Sequence, residues 1–182
     1  MTDTEIRVNL FDGLLGVNKT ANMFSFIIYY ISRNPDVKKK MLKEIDSIFQ
    51  DDKIRPITKD DYYSLSYCEA IVKEVARILP AMRSFSRYTD KSDKIAGYQW
   101  PADILFNPDR WMVENFEPKK NSFIMFGGGL RSCPGRKLVM IELVCFIALL
   151  FRKYDVNLVD MNSLIKCKAD YVKLIVEIKP RN

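Results

Sequence analysis

Apolar residues in the opening segment recur at three- and four-residue steps: Ile6, Leu10, Leu14, Val17, Ala21, Phe24, Ile28 and Ile31. That period puts them on one helical face and predicts a single long helix over residues 4–33. Gly13 and Gly16 interrupt it. Each costs about 1 kcal/mol against Ala, a cost that usually answers a packing or ligand requirement. Asn34-Pro35 predicts the end of this helix and the start of a second, with Asn34 as N-cap and Pro35 at the first helical position. The second helix runs to about Phe49 and carries Val37, Met41, Leu42, Ile45, Ile48 and Phe49 on one face. Lys38, Lys39, Lys40 and Lys43 read as its solvated face.

Residues 51–56 read as a loop. Thr58-x-x-Asp61 has the form of a capping box and predicts a short helix. Ser66-x-x-Glu69 is a second box, opening a helix that reaches Leu79 and is stopped by Pro80. Residues 83–88 and 94–100 read as extended and can pair as a hairpin. Residues 101–118 are irregular, with prolines at 101, 108 and 118. The apolar run 138–151 predicts a helix buried in protein. It contains Glu142 and falls short of the roughly 20 residues that span a bilayer, so no membrane span is expected. In the tail, residues 156–159, 164–168 and 171–178 suit strands, with Val172, Leu174, Val176 and Ile178 alternating. The expected fold class is mainly α with a small β-sheet, in one partial domain over residues 1–182.

Composition narrows the chemistry. A 48% hydrophobic and 29% charged chain of 182 residues can bury a core. The net charge of +6 is spread over every segment, and no basic-aromatic platform is present, which argues against nucleic acid as partner. The chain has no histidine. That removes His-based acid–base catalysis, Ser-His and Cys-His nucleophiles and most zinc sites. Four widely spaced cysteines, at 68, 133, 145 and 167, do not form a disulfide framework, so a reducing compartment is the default. Cys68 and Cys145 read as core. The opening residues do not read as a signal peptide, so none is expected from this stretch.

The stretch that carries chemistry is Phe126-Gly127-Gly128-Gly129-Leu130-Arg131-Ser132-Cys133-Pro134-Gly135. Three glycines let a flat ligand lie against the backbone. A thiolate at Cys133 would face the unpaired N–H groups and positive dipole end of the helix that follows, with Arg131 and Arg136 on either side. This arrangement holds sulfur as an anion, and axial ligation of haem iron is one established use of it. A buried cysteine after a glycine-rich turn is the plainer reading.

Phe126-x-x-Gly129-x-Arg131-x-Cys133-x-Gly135 resembles, at every defined position, the haem-binding signature of the cytochrome P-450 family of haem-thiolate monooxygenases. The resemblance implies a thiolate-ligated haem cofactor, with Cys133 as axial iron ligand and Arg131 on a haem propionate. It also implies the C-terminal part of the cytochrome P-450 fold. Glu74-x-x-Arg77 is similar to the family's E-x-x-R helix, and Pro108-Asp109-Arg110-Trp111 to its P-x-R-[FW] element. A structural Glu74–Arg77–Arg110 cluster supporting the cysteine loop is thereby implied. Arg87 falls where the family has a propionate-binding arginine; an exposed strand arginine is the alternative.

The first helix resembles the family's long distal helix through Gly16-Val17-Asn18-Lys19-Thr20. Thr20 is then the catalytic candidate for hydrogen-bonding oxygen and delivering protons; a second reading has its hydroxyl bonding back to its own helix. Val17 and Lys19 depart from the family's small residue and acid. The resemblance lacks the long region preceding the distal helix, and residues 102–105 stand where the family has a strand and a short helix, like an internal deletion. It implies an enzyme, a monooxygenase taking a small apolar substrate, and a flavin-containing reductase as electron donor. Lys119, Lys120, Arg136 and Lys137 form the basic face that would dock it; a solubilising basic surface is the alternative. Eukaryotic full-length relatives are typically endoplasmic-reticulum membrane proteins facing the cytosol; the compartment of this chain is left open. The alternative function is a truncated, catalytically inactive haem-binding or partner-binding fragment.

Overall fold

The computed structural model describes residues 2–50, 52–81, 106–114, 116, 118, 122–129, 132–162, 165–168 and 171–181. The expected hairpin over 83–88 and 94–100, the 102–105 junction, Lys119, Lys120, Arg87 and Arg131 lie outside them.

The first helix, α1, spans Asp3–Arg33. Thr2 starts it with a capping box: its hydroxyl accepts from Glu5 N at 3.3 Å, and the Glu5 carboxylate accepts from Thr2 N at 2.7 Å. The helix α2, Pro35–Phe49, follows with Pro35 at its start. Asn34 does not cap it. Its side chain turns back and donates to Tyr30 O at 2.7 Å, while its backbone N–H donates to Ile31 O at 3.2 Å. The unpaired carbonyls at the end of α1 take the amide that the sequence assigns to α2. The lysine face of α2 is also not simply solvated. Lys38 reaches the Asp155 carboxylate, Val156 O at 3.0 Å and Asn157 Oδ1 at 2.8 Å, and Lys40 pairs with Asp109. These lysines bind because α2 lies against chain that returns from far downstream.

Thr58 opens α3, Lys59–Ser64, through the expected capping box. The helix α4, Ser66–Ile78, opens differently. Ser66 is its first helical residue rather than its cap, and Glu69 pairs with Lys73 at 2.9 Å. The carboxylate of Glu44 on α2 does the capping, accepting from Tyr67 N at 2.6 Å, Cys68 N at 2.9 Å and Ser66 Oγ at 3.2 Å. Cys68, Ile71, Val72 and Val75 of α4 are fully buried, and the helix packs on α1, α2 and α5. Each such side chain contributes about 1.5–3 kcal/mol of burial.

Pro108–Trp111 forms one 3-10 turn, and α5 spans Arg136–Phe151. Leu143, Ile147 and Phe151 seat α5 in the core with Ile27 and Ile31 of α1. Four short strands close the described chain: β1 Tyr154–Leu158, β2 Lys166–Lys168, β3 Tyr171–Lys173 and β4 Val176–Pro180. Val156 on β1 faces Ile178 on β4 in an antiparallel pair, and Cys167 faces Val172 in another. The alternating run 171–178 is therefore two strands in two sheets, divided at Leu174 and Ile175. The class is mostly helical with small antiparallel sheets, as the patterning predicts.

Candidate functional site

The cysteine loop doubles back on itself before α5. Cys133 N donates to Phe126 O at 2.9 Å, Gly127 N to Ile124 O at 3.0 Å and Ser132 N to Gly129 O at 3.2 Å. Gly127 has φ 76 and Gly129 φ 65, backbone that side-chain-bearing residues rarely adopt. Phe126, Cys133 and Gly135 are half-buried, and Gly129 is exposed. Gly135 stands at the N-cap of α5, with Arg136 N donating to Cys133 O at 3.4 Å. A Cβ added at Gly135 would lie 3.9 Å from Cys133 Sγ. Cys133 thus sits two residues before the N-cap of a sixteen-residue helix.

Beside this turn runs a groove of about 1080 Å3 between α1 and α5. Gly13, Gly16, Val17 and Thr20 line one wall, and Pro134, Gly135, Leu138 and Val139 the other. A Cβ built on Gly13 or Gly16 meets no atom within 4 Å. Thr20 is half-buried on this wall, as is Lys19 on the same helix. Phe24 and Phe146 meet edge to face at 5.6 Å between centroids. The groove is largely apolar and matches the upper end of ligand pockets, about 300–1,000 Å3.

On α4, Glu74 is completely buried and gathers five hydrogen bonds from the described residues. Arg77 forks onto it, Nε to Oε2 at 2.9 Å and Nη2 to Oε1 at 2.8 Å. Arg110 Nε donates to Oε1 at 3.0 Å, Asn107 N to Oε1 at 2.9 Å and Trp111 Nε1 to Oε2 at 3.0 Å. Burial alone would raise the Glu74 carboxyl pKa. The hydrogen bonds from Arg77, Asn107 and Trp111 outweigh it and hold the carboxyl below its ordinary value. The structure therefore brings Glu74, Arg77 and Arg110 together despite the short 102–105 junction. Trp111 and the Asn107 amide are partners that the sequence reading missed. Their signal was adjacency: both flank Arg110 on one turn.

The residues fit a flat apolar cofactor with one soft ligand. The groove has glycines where a ring system would approach α1, and the Cys133 thiol, which precedes the lining residues Pro134 and Gly135, suits an iron whose equatorial ligands come with the cofactor. Cys133, Phe126, Gly129 and Gly135 are the described residues that would hold it on the thiolate side. Among the described residues no helix is long and apolar enough to cross a membrane.

Comparison with known proteins agrees with this geometry. The chain is 29% identical to the mitochondrial 1,25-dihydroxyvitamin D(3) 24-hydroxylase of Mus musculus, over 81% of the chain and 32% of that protein. It is also 29% identical to the mitochondrial sterol 26-hydroxylase of Rattus norvegicus, over 80% of the chain and 32% of that protein. The chain thus spans about a third of the length of these relatives. A cytochrome P-450 crystal structure superposes with a TM-score of 0.75 at 20% identity, covering 90% of this chain and 43% of that one. It shows the same fold. The cytochrome P-450 family model matches residues 1–106 and 100–180. With the cysteine loop, the groove and the matched fold taken together, this chain belongs to the cytochrome P-450 family, a family of haem monooxygenases.

Proposed function

We propose that the chain forms the thiolate side of a haem pocket in a monooxygenase acting on an apolar organic substrate. The observation that carries this reading is the turn that ties Cys133 N back to Phe126 O, immediately before Pro134 and Gly135 on the wall of the α1–α5 groove. Bound haem would supply activation of dioxygen with two electrons, giving one oxygen atom to substrate and the other to water. The protein's part is positional. Cys133 Sγ would be the ligand to the iron, presented just ahead of α5. Gly129 and Gly127 give the turn its shape. Arg131 and Arg87 are the propionate partners. Thr20, on the opposite wall, holds a proton at its hydroxyl where oxygen would bind. Glu74, Arg77 and Arg110 brace the segment beneath. Arg136 and Lys137, both exposed, belong to the basic face for an acidic flavin-containing reductase.

The family match comes as two segments that meet at 100–106, which supports an omitted stretch at that junction. The groove's open apolar faces favour a second reading, a chain that works by binding partners. Leu10, Phe11 and Val17 of α1 are exposed, as are Leu138 and Phe146 of α5.

The test is an optical spectrum of the purified chain with haem, reduced and exposed to carbon monoxide, beside Cys133→Ala. A strongly red-shifted Soret band present in the parent and absent from the variant is expected. No band, or identical spectra, would reject thiolate ligation. Concentration-dependent sedimentation would then mark the partner-binding chain.

A further inference from the structure

Away from the groove and sharing no lining residue with it, a second cleft of about 660 Å3 opens between α2, the end of α1 and the β1–β4 pair. Lys39 and Lys43 stand on its wall, both exposed and one turn apart on the same face of α2. Lys38 and Arg181 also line it, but each is already tied, Lys38 to Asp155 and Arg181 to Asp46 at 2.8 Å. Among the described lining residues Asp46 is the one carboxylate, against four cations.

Two further features point to an anion. Ser32 lines the cleft, is only 6% exposed, and its hydroxyl has no hydrogen-bond partner among the described residues. Ser25 on the same helix, by contrast, donates back to Ala21 O at 3.1 Å. Buried hydroxyls nearly always have a partner. Pro35, the first residue of α2, lines the cleft too, and this helix start has no side-chain cap because Asn34 is turned to α1. Asp36 is the acidic residue in that turn. Uncapped N–H groups and the positive end of the helix dipole favour an anionic guest.

We propose that this cleft binds a phosphate monoester. Lys39 and Lys43 face the phosphate charge, and the Ser32 hydroxyl donates to one of its oxygens. Lysines serve phosphate as point charges, and the cleft has room for an organic group beyond the phosphate itself. The proposal stands apart from the haem reading, and its test needs no haem.

The group can arrive free or on a lipid headgroup. Glycerol 3-phosphate is titrated calorimetrically at about 0.15 M ionic strength, where diffuse charge effects are screened. In parallel, the chain is co-sedimented with phosphatidylcholine vesicles containing phosphatidic acid. Saturable binding is expected, weakened at least tenfold by Lys39→Gln with Lys43→Gln and at least threefold by Ser32→Ala. The same charge loss made elsewhere, Lys59→Gln with Lys73→Gln, leaves it unchanged. Binding to vesicles alone with this variant pattern supports the site and names a lipid source. No saturable binding in either arm, or equal losses in the two double variants, overturns it.

Discussion

Glu74 is a carboxylate with no exposed surface, held ionised by donors on two segments of chain. Breaking such a pair strands the partner charges, which costs far more than an exposed pair would. Glu74→Gln should therefore lose about 3 kcal/mol, read as a lower urea midpoint. Two glycines in the cysteine loop separate backbone need from space. Gly129 has φ 65, so Gly129→Ala should cost about 1–2 kcal/mol, a few degrees in melting temperature. Gly135 has φ -80, and an added Cβ would only touch Cys133 Sγ at 3.9 Å. Gly135→Ala should melt within about 0.5 kcal/mol of the parent, within the range of substitutions that break nothing. Equal losses at the two positions would contradict the loop geometry.

The start of α4 shows where local sequence reading stops. Thr58 and Asp61 are three residues apart, so their capping box is visible in the chain and forms as written. Ser66 and Glu69 carry the same spacing, yet the N–H groups go to Glu44, twenty-odd residues upstream on another helix. A charged acceptor positioned by tertiary packing displaces a local serine. Glu44→Ala should thus cost about 1–2 kcal/mol in thermal melts, while Ser66→Ala stays within about 0.5 kcal/mol. The reverse ranking would restore the local box. Asn34 follows the same logic, as does the run 171–178, whose alternation suits strand pairing but carries no mark of where the chain changes sheet.

Across the whole molecule, acid should act through a few carboxylates. Hydrogen bonds from Arg55 hold Asp61 well below the usual carboxylate range, and Lys38 holds Asp155 down. Glu74 is lowered as well, its donors outweighing burial. These groups bind protons more weakly folded than unfolded, so unfolding takes up protons in acid. Their stabilisation is complete above the unfolded values, about pH 4, and fades as pH falls toward the folded ones. Melting temperature should hold above about pH 5 and fall below pH 4, with Asp61→Asn flattening the drop; an unchanged slope would remove Asp61 from the account. The helices and the cysteine loop are legible in the chain alone, because helical period, prolines and glycines act over a few residues. The chain also names Glu74, Arg77 and Arg110, through motifs. Packing settles the rest: Trp111 and the Asn107 amide complete that cluster, Glu44 caps α4, and Lys38 is tied while Lys39 and Lys43 stay exposed. Those outcomes depend on which distant groups meet after the core packs, and no local spacing encodes that meeting.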